Sequence, residues 1–189
     1  MIMIPFPNKK YQIIYADCPW SYRDKALAGH RGSICKYKVQ SKKWIDNLPV
    51  NHIADNNCAL FLWVTMPKLN ECWELIIKWG FAYKTVAFTW VKRNKVSNSW
   101  FWGMGRWTRA NAELCLLATK GKPKRINAGI HSIIDTPIEE HSRKPSEVRN
   151  RIVQLMGDLP RIELFARPPK DRLFEDESYK GWDVWGLEA

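Results

Sequence analysis

No stretch of this sequence stays apolar for the ~18 residues that a membrane-spanning helix needs, so no such span is expected. The opening Met1-Ile2-Met3-Ile4-Pro5 is too short to read as a secretory signal. Its five cysteines (Cys18, Cys35, Cys58, Cys72, Cys115) are odd in number and form no C-x-x-C pair, which argues against a disulfide framework and a zinc site and for a reducing, cytoplasmic setting. The four histidines show no ligand spacing with cysteines or acids, and no metal is expected. Internal repeats and low-complexity tracts are missing as well. Acid is the scarcest ingredient: 19 Asp and Glu stand against 30 Lys and Arg, a formal charge of +11. An imbalance of that size favours a polyanionic partner, nucleic acid first, by counterion release and long-range attraction.

What is present is ordinary for a globular chain, 46% hydrophobic and 26% charged, and 189 residues suit a single domain, 1–189. Tryptophan is the exception, with eleven residues. Many sit among cations: Trp90, Lys92, Arg93, Lys95, Trp100, Phe101, Trp102, Arg106, Trp107 and Arg109 fall within one stretch. Such interleaving suits bases and phosphates, although core packing would account for part of it.

Residues 11–17 read as a β-strand that delivers Asp17 to a sheet edge, followed by the turn-former Pro19. Residues 21–43 read as a basic loop beside it, and 92–112 as a long loop or irregular hairpin. Cys58–Val64 is a buried-strand run. A helix follows from Pro67, with Leu69, Cys72, Trp73, Ile76 and Ile77 on its inner face and Gly80 at its end. Strands are expected at 81–91, Glu113–Thr119, Arg161–Ala166 and Trp182–Trp185. Pro145 opens a second helix with Val148, Ile152, Leu155 and Met156 on one stripe. Alternating strands and helices predict an α/β fold, a doubly wound, mostly parallel sheet whose ligands bind beyond the carboxyl ends of its strands. Asp17, Ser142–Lys144 and the segment after Phe165 would meet there.

Asp17-Cys18-Pro19-Trp20 can do one particular kind of chemistry. A ring amino group such as that of adenine is a poor nucleophile because its lone pair is delocalised. A carboxylate (Asp17) and a backbone carbonyl (Cys18) accepting its two hydrogens would localise that pair, Pro19 would keep Cys18 extended, and Trp20 would offer a stacking face. The tetrapeptide resembles the D-P-P-W motif of the MT-A70 type N(6)-adenine methyltransferases. Further segments resemble that family in order: Phe61-Leu62-Trp63-Val64-Thr65, Asn111–Gly121, His141-Ser142-Arg143-Lys144-Pro145-Ser146-Glu147, Ile162–Arg167 and Gly181–Gly186.

The resemblance runs from about 11 to 188 and implies a Rossmann-like methyltransferase domain that uses S-adenosyl-L-methionine. The function it implies is methylation of the adenine 6-amino group, in DNA ahead of RNA, in a bacterial cell or phage-infected host. By the same resemblance Asp17, Ser142 and Lys144 would hold the methionine part of the cofactor, with Phe165, Arg167 and Glu188 toward its sugar side. Tyr37, Trp107, Arg109 and Glu113 would meet the substrate. The alternative for Ser142 is a helix cap, and for Glu113 a buried structural acid. Cys18 departs from the family by replacing its first proline, and Leu187-Glu188 stands where relatives carry a polar pair. A catalytically silent nucleic-acid-binding subunit is the competing function, and the resemblance admits a homodimer or heterodimer.

Overall fold

Side-chain alternation along the first strand, β1 (Tyr11–Ala16), divides the interior in two: Ile14 and Ala16 enter one core, Ile13 and Tyr15 the other. The next strand, β2 (Ala54–Val64), repeats the division, with Cys58, Leu60, Leu62 and Val64 on one face and Ala59, Phe61 and Trp63 on the other. This explains why 58–64 is apolar without a break, since a strand covered on both faces has no solvent side to mark. The computed structural model describes residues 5–21, 40–105, 107–139, 143–166 and 177–186.

The remaining strands are β3 (Ala82–Arg93), β4 (Glu113–Lys120), β5 (Ile133–Pro137), β6 (Arg161–Leu164) and β7 (Trp182–Trp185), and the seven form one sheet in the order β5-β3-β4-β2-β1-β6-β7. Only β4 runs against its neighbours, antiparallel to both β2 and β3. The helix between β2 and β3 therefore makes the expected parallel crossover, but β4 occupies the slot between its two strands. One face is covered by α1 (Lys42–Asp46), α2 (Val50–Ile53) and α3 (Leu69–Lys78), the other by α4 (Glu147–Met156). The α/β, mostly parallel architecture predicted from the sequence is thus observed.

The inner face of α3 differs from the expectation. Cys72, Leu75 and Ile76 are buried, Leu69 packs against them, Trp73 is 37% exposed and Ile77 is 73% exposed. Apolar residues at 69, 72, 73, 75, 76 and 77 span a wide arc, and the seat on the sheet selects its middle. Trp73 instead lies at the rim, edge-on to Tyr83 with centroids 4.2 Å apart. Helices α1 and α2 and strand β5 were not anticipated, and β6 stops at Leu164 because Phe165 turns into the left-handed region at φ 64°.

The second core contains a buried ion pair that ties α4 to the sheet. Arg149 donates from Nε and Nη2 to the carboxylate of Glu163 in β6, at 2.5 and 3.0 Å. Its remaining donors reach Ser178 Oγ (3.2 Å) and Tyr179 Oη (2.6 Å), and the guanidinium lies over the Tyr179 ring. Leaving either charge alone in this interior is costly. Glu163→Gln is expected to lower stability by about 3–5 kcal/mol, read as a shifted urea midpoint. On α3, Leu75→Ala should cost about 2–5 kcal/mol and Ile77→Ser within about 0.5 kcal/mol, and the reverse ranking would mean that the helix sits on its other face.

Candidate active site

The carboxyl ends of β1, β2 and β6 reach one edge of the sheet, and β4, running the other way, begins there. Ala16 pairs with Leu62 and Leu164, and Val64 pairs with Leu114. Asp17, Glu113 and Phe165 are thereby brought to a single edge from three strands. The backbone of Asp17 is tied in by its N–H, which donates to Leu164 O.

Lys144, two residues ahead of the turn into α4, joins the two acids. Its Nζ donates to Asp17 Oδ2 at 2.8 Å and lies 3.4 Å from Glu113 Oε2, while Lys92 Nζ donates to Glu113 Oε1 at 2.5 Å. The result is an alternating row, Asp17, Lys144, Glu113, Lys92, with two charges of each sign. All four side chains are largely covered, between 10% and 21% exposed, so their attraction is screened far less than at an open surface. The Lys144 ammonium also lies 5.6 Å from the Trp63 ring centre. Burial alone would push the Lys144 pKa down, but Asp17 and Glu113 outweigh it and hold it above the ordinary lysine value. Burial likewise would raise the Glu113 carboxyl, and Lys144 and Lys92 reverse this and hold it below the ordinary range.

The tetrapeptide makes a tight turn beside Asp17. Trp20 N–H donates to Cys18 O at 2.8 Å, and Gln40 N–H donates to Pro19 O at 3.0 Å. A carbonyl oxygen has two lone pairs, so Cys18 O retains acceptor capacity. The Cys18 thiol is 4% exposed and its pKa is pushed well up by burial, so it is a protonated packing group. Trp20 is also 4% exposed and belongs to the first core, so its ring does not stand in the open; its Nε1 has no hydrogen-bond partner among the described residues. Phe165 closes the other side. Its N–H donates to Trp185 O at 2.5 Å, its ring packs edge-on to Trp185, and a side chain at Gly186 would strike its Cα. A non-glycine residue held at positive φ costs on the order of 1–3 kcal/mol and is over-represented at ligand clamps.

Of the residues expected at the site, the structure brings together Asp17, Lys144 and Glu113, with Cys18 and Pro19 in the adjoining turn and Phe165 at the same edge. Trp107 (95% exposed) and Arg109 are outside that row, on the projecting 94–112 connection, where Arg109 and Trp102 flank a shallow cleft. Tyr37, Ser142, Arg167 and Glu188 lie outside the described residues, as does most of the 21–43 loop. Two participants were missed: Lys92, the counter-charge of Glu113, and Trp63, the aromatic floor beneath Lys144. Both are set by strand register, which no local spacing in the sequence reveals.

Comparison with known proteins gives this geometry a family. The family model described as MT-A70 matches residues 11–188. The type II methyltransferase M.MunI of Mycoplasma sp is 35% identical over 200 residues, spanning 96% of this chain and 79% of that protein. The METTL3 subunits of the N(6)-adenosine-methyltransferases of Danio rerio and Homo sapiens are each 29% identical over 161 residues, 84% of this chain but only 26% of theirs. The family match runs from β1 to beyond β7 and takes in every strand and helix that builds the charged row; the chain belongs to the MT-A70 family.

Proposed function

We propose that this protein transfers the methyl group of S-adenosyl-L-methionine to the 6-amino group of adenine in DNA. The observation that carries the reading is the Asp17–Lys144 pair, a carboxylate and an ammonium side by side at the sheet edge, each ready to be matched by a group of opposite charge. The methionine end of the cofactor is a zwitterion with the complementary set, so the donor chemistry fits it: Lys144 would take the carboxylate and Asp17 the ammonium. When bound, the cofactor supplies an electrophilic methyl group on sulfur.

The protein's share is orientation. Lys144 occupies Oδ2 of Asp17, and Oδ1 is the oxygen that accepts one hydrogen of the amino group. Cys18 O accepts the other with its second lone pair. Together they draw the nitrogen lone pair out of the ring plane and toward the methyl carbon. On methyl transfer the amino nitrogen would have to shed a proton, and Asp17, which already accepts from that nitrogen, would take it. Phe165, locked by Gly186 and Trp185, forms a rigid wall on the cofactor side. Preorganised acceptors of this kind are worth more in a covered site than in water.

DNA is favoured over RNA by the 35% identity to M.MunI, whose match covers more of both proteins than the METTL3 matches do. The charge of +11 and the exposed cations of the 92–112 stretch support a nucleic-acid partner. The described helices include none long and apolar enough to cross a membrane, and four buried free cysteines support a reducing compartment, the cytoplasm of a bacterial cell or phage-infected host.

Mass spectrometry of nucleosides after incubation with cofactor and mixed DNA and RNA is expected to find N(6)-methylated deoxyadenosine. Methylated adenosine alone would transfer the reading to RNA, and no transfer combined with nucleic-acid binding would favour a silent subunit. Asp17→Ala should abolish transfer while DNA binding persists. Lys144→Met should raise the KM for cofactor by roughly tenfold or more, the scale of one lost charge-assisted contact. Glu113 and Lys144 should also keep their charges over the working range. Glu113 loses its contribution only as pH falls through a value below the ordinary 4.5, and Lys144 only as pH rises past a value above 10.5. A kcat profile without an inflection from Glu113 or Lys144 between about pH 5 and 10 is expected.

A further inference from the structure

Between β3 and β4 the chain leaves the sheet and returns through two successive turns, closed by antiparallel bridges at Arg93–Trp100 and Gly103–Ala110. The base of this projection is rigid. Asn111 accepts from Lys92 N–H at 2.8 Å and donates to Lys92 O and Phe101 O at 2.9 and 2.6 Å. Arg93 makes a two-pronged ion pair with Asp135 of β5 and lies 4.2 Å from the Trp100 ring centre. The far turn is equally tight, since a Cβ on Gly105 would collide with the backbone oxygen of Thr108. Around the far turn of this stiff support three large apolar side chains face water, Trp102 at 59%, Met104 at 85% and Trp107 at 95% exposure, while the nearer turn exposes Val96 and Trp100.

An apolar tip held out by a rigid stem marks a contact with another molecule. Its charge identifies the kind. No acidic residue occurs between Lys92 and Ala112, and Lys95 and Arg109 are exposed with no ion pair among the described residues. Its attachment identifies the place. The two ends of the stem are Lys92 and Glu113, which are themselves half of the charged row beside Asp17. Six residues from Glu113, Trp107 can stand at most about 20 Å away, the scale on which a DNA groove is measured.

We infer that this tip is a wedge that enters duplex DNA and fills the gap left when the target adenine leaves the base stack, with Trp107 and Met104 as the plug and Lys95 and Arg109 on the flanking phosphates. The inference rests on the adenine reading above and adds duplex substrate and strand opening to it. Methylation of a paired adenine requires its extrusion, which costs unstacking and unpairing energy. Apolar wedges inserted at base steps meet that cost by restoring stacking to the neighbours. The competing occupant, a protein partner, would find the exposed cations Lys95 and Arg109 and a stretch of sequence without acid, a poor match for a second copy of a chain already charged +11.

The test compares wild type with Trp107→Ala and with Val96→Ser, the latter a control 98% exposed on the nearer turn. Methylation rates are measured on native plasmid DNA and on the same DNA denatured, and thymines left unpaired in native plasmid are mapped by permanganate oxidation. Trp107→Ala is expected to lower the native-to-denatured rate ratio roughly tenfold or more, the scale of one lost base–aromatic stack. It should also erase permanganate-reactive thymines that wild type and Val96→Ser both produce. An unchanged ratio, or native DNA methylated by wild type without any reactive thymine, would overturn the wedge while leaving the adenine reading intact. Reactive thymines without methylated adenine would do the opposite. Loss on both substrates together with conversion of a dimer to monomer in sedimentation would overturn the wedge in favour of a protein interface.

Discussion

A single ammonium group holds the charged edge of the sheet together. Lys144 sits between carboxylates that arrive on β1 and β4, two strands separated in the sheet by β2. Without a cation between them, two largely covered negative charges would repel each other and resist desolvation. With it, Asp17 stays an acceptor and Glu113 stays an anchor. Lys92 then balances the second acid, so the row is neutral as a whole and stable in an interior that would punish a surplus of either sign.

The antiparallel β4 is what makes that row possible. In an all-parallel sheet the beginning of a strand lies at the edge opposite the carboxyl ends of the others. Reversing β4 brings its first residue, Glu113, to the edge where Asp17 emerges, and leaves Lys92, near the end of β3, two residues beyond Trp90, the residue paired with Glu113 across the ladder. The same reversal replaces a long crossover with a direct return, freeing the 94–112 connection from covering a sheet face. Its aromatics are therefore available to solvent, whereas those of β2 are sealed between two layers.

How far this could be read from the sequence depended on whether the signal was local. The run into Asp17, the unbroken apolar stretch of β2 and the proline at the mouth of α4 are local patterns, and each led to the right element at nearly the right place. The ordered motifs extended this to the family and to the mostly parallel sheet. Strand direction was not legible, because an apolar run such as Glu113–Thr119 looks the same read either way. β5 escaped notice because Ile133–Pro137 has little strand character of its own and is held by pairing with β3. The Arg149–Glu163 pair and the Lys92–Glu113 pair join residues 14 and 21 positions apart, separations that no helix or strand period singles out. On α3 the pattern was too rich, offering overlapping stripes among which only the sheet could choose.

The β3–β4 connection begins and ends on backbone that is already paired, with both ends fastened by Asn111 and by the Arg93–Asp135 bridge. Beyond those fastenings its length is nearly free: doubling a surface loop adds only about 0.6 kcal/mol of closure entropy. Residues can therefore be inserted, deleted or exchanged beyond the clamp without moving Glu113 and without disturbing the acceptors around Asp17. A lineage built on this plan can exchange the projection as readily as a tool changes its bit, while the charged row at the sheet edge is inherited untouched.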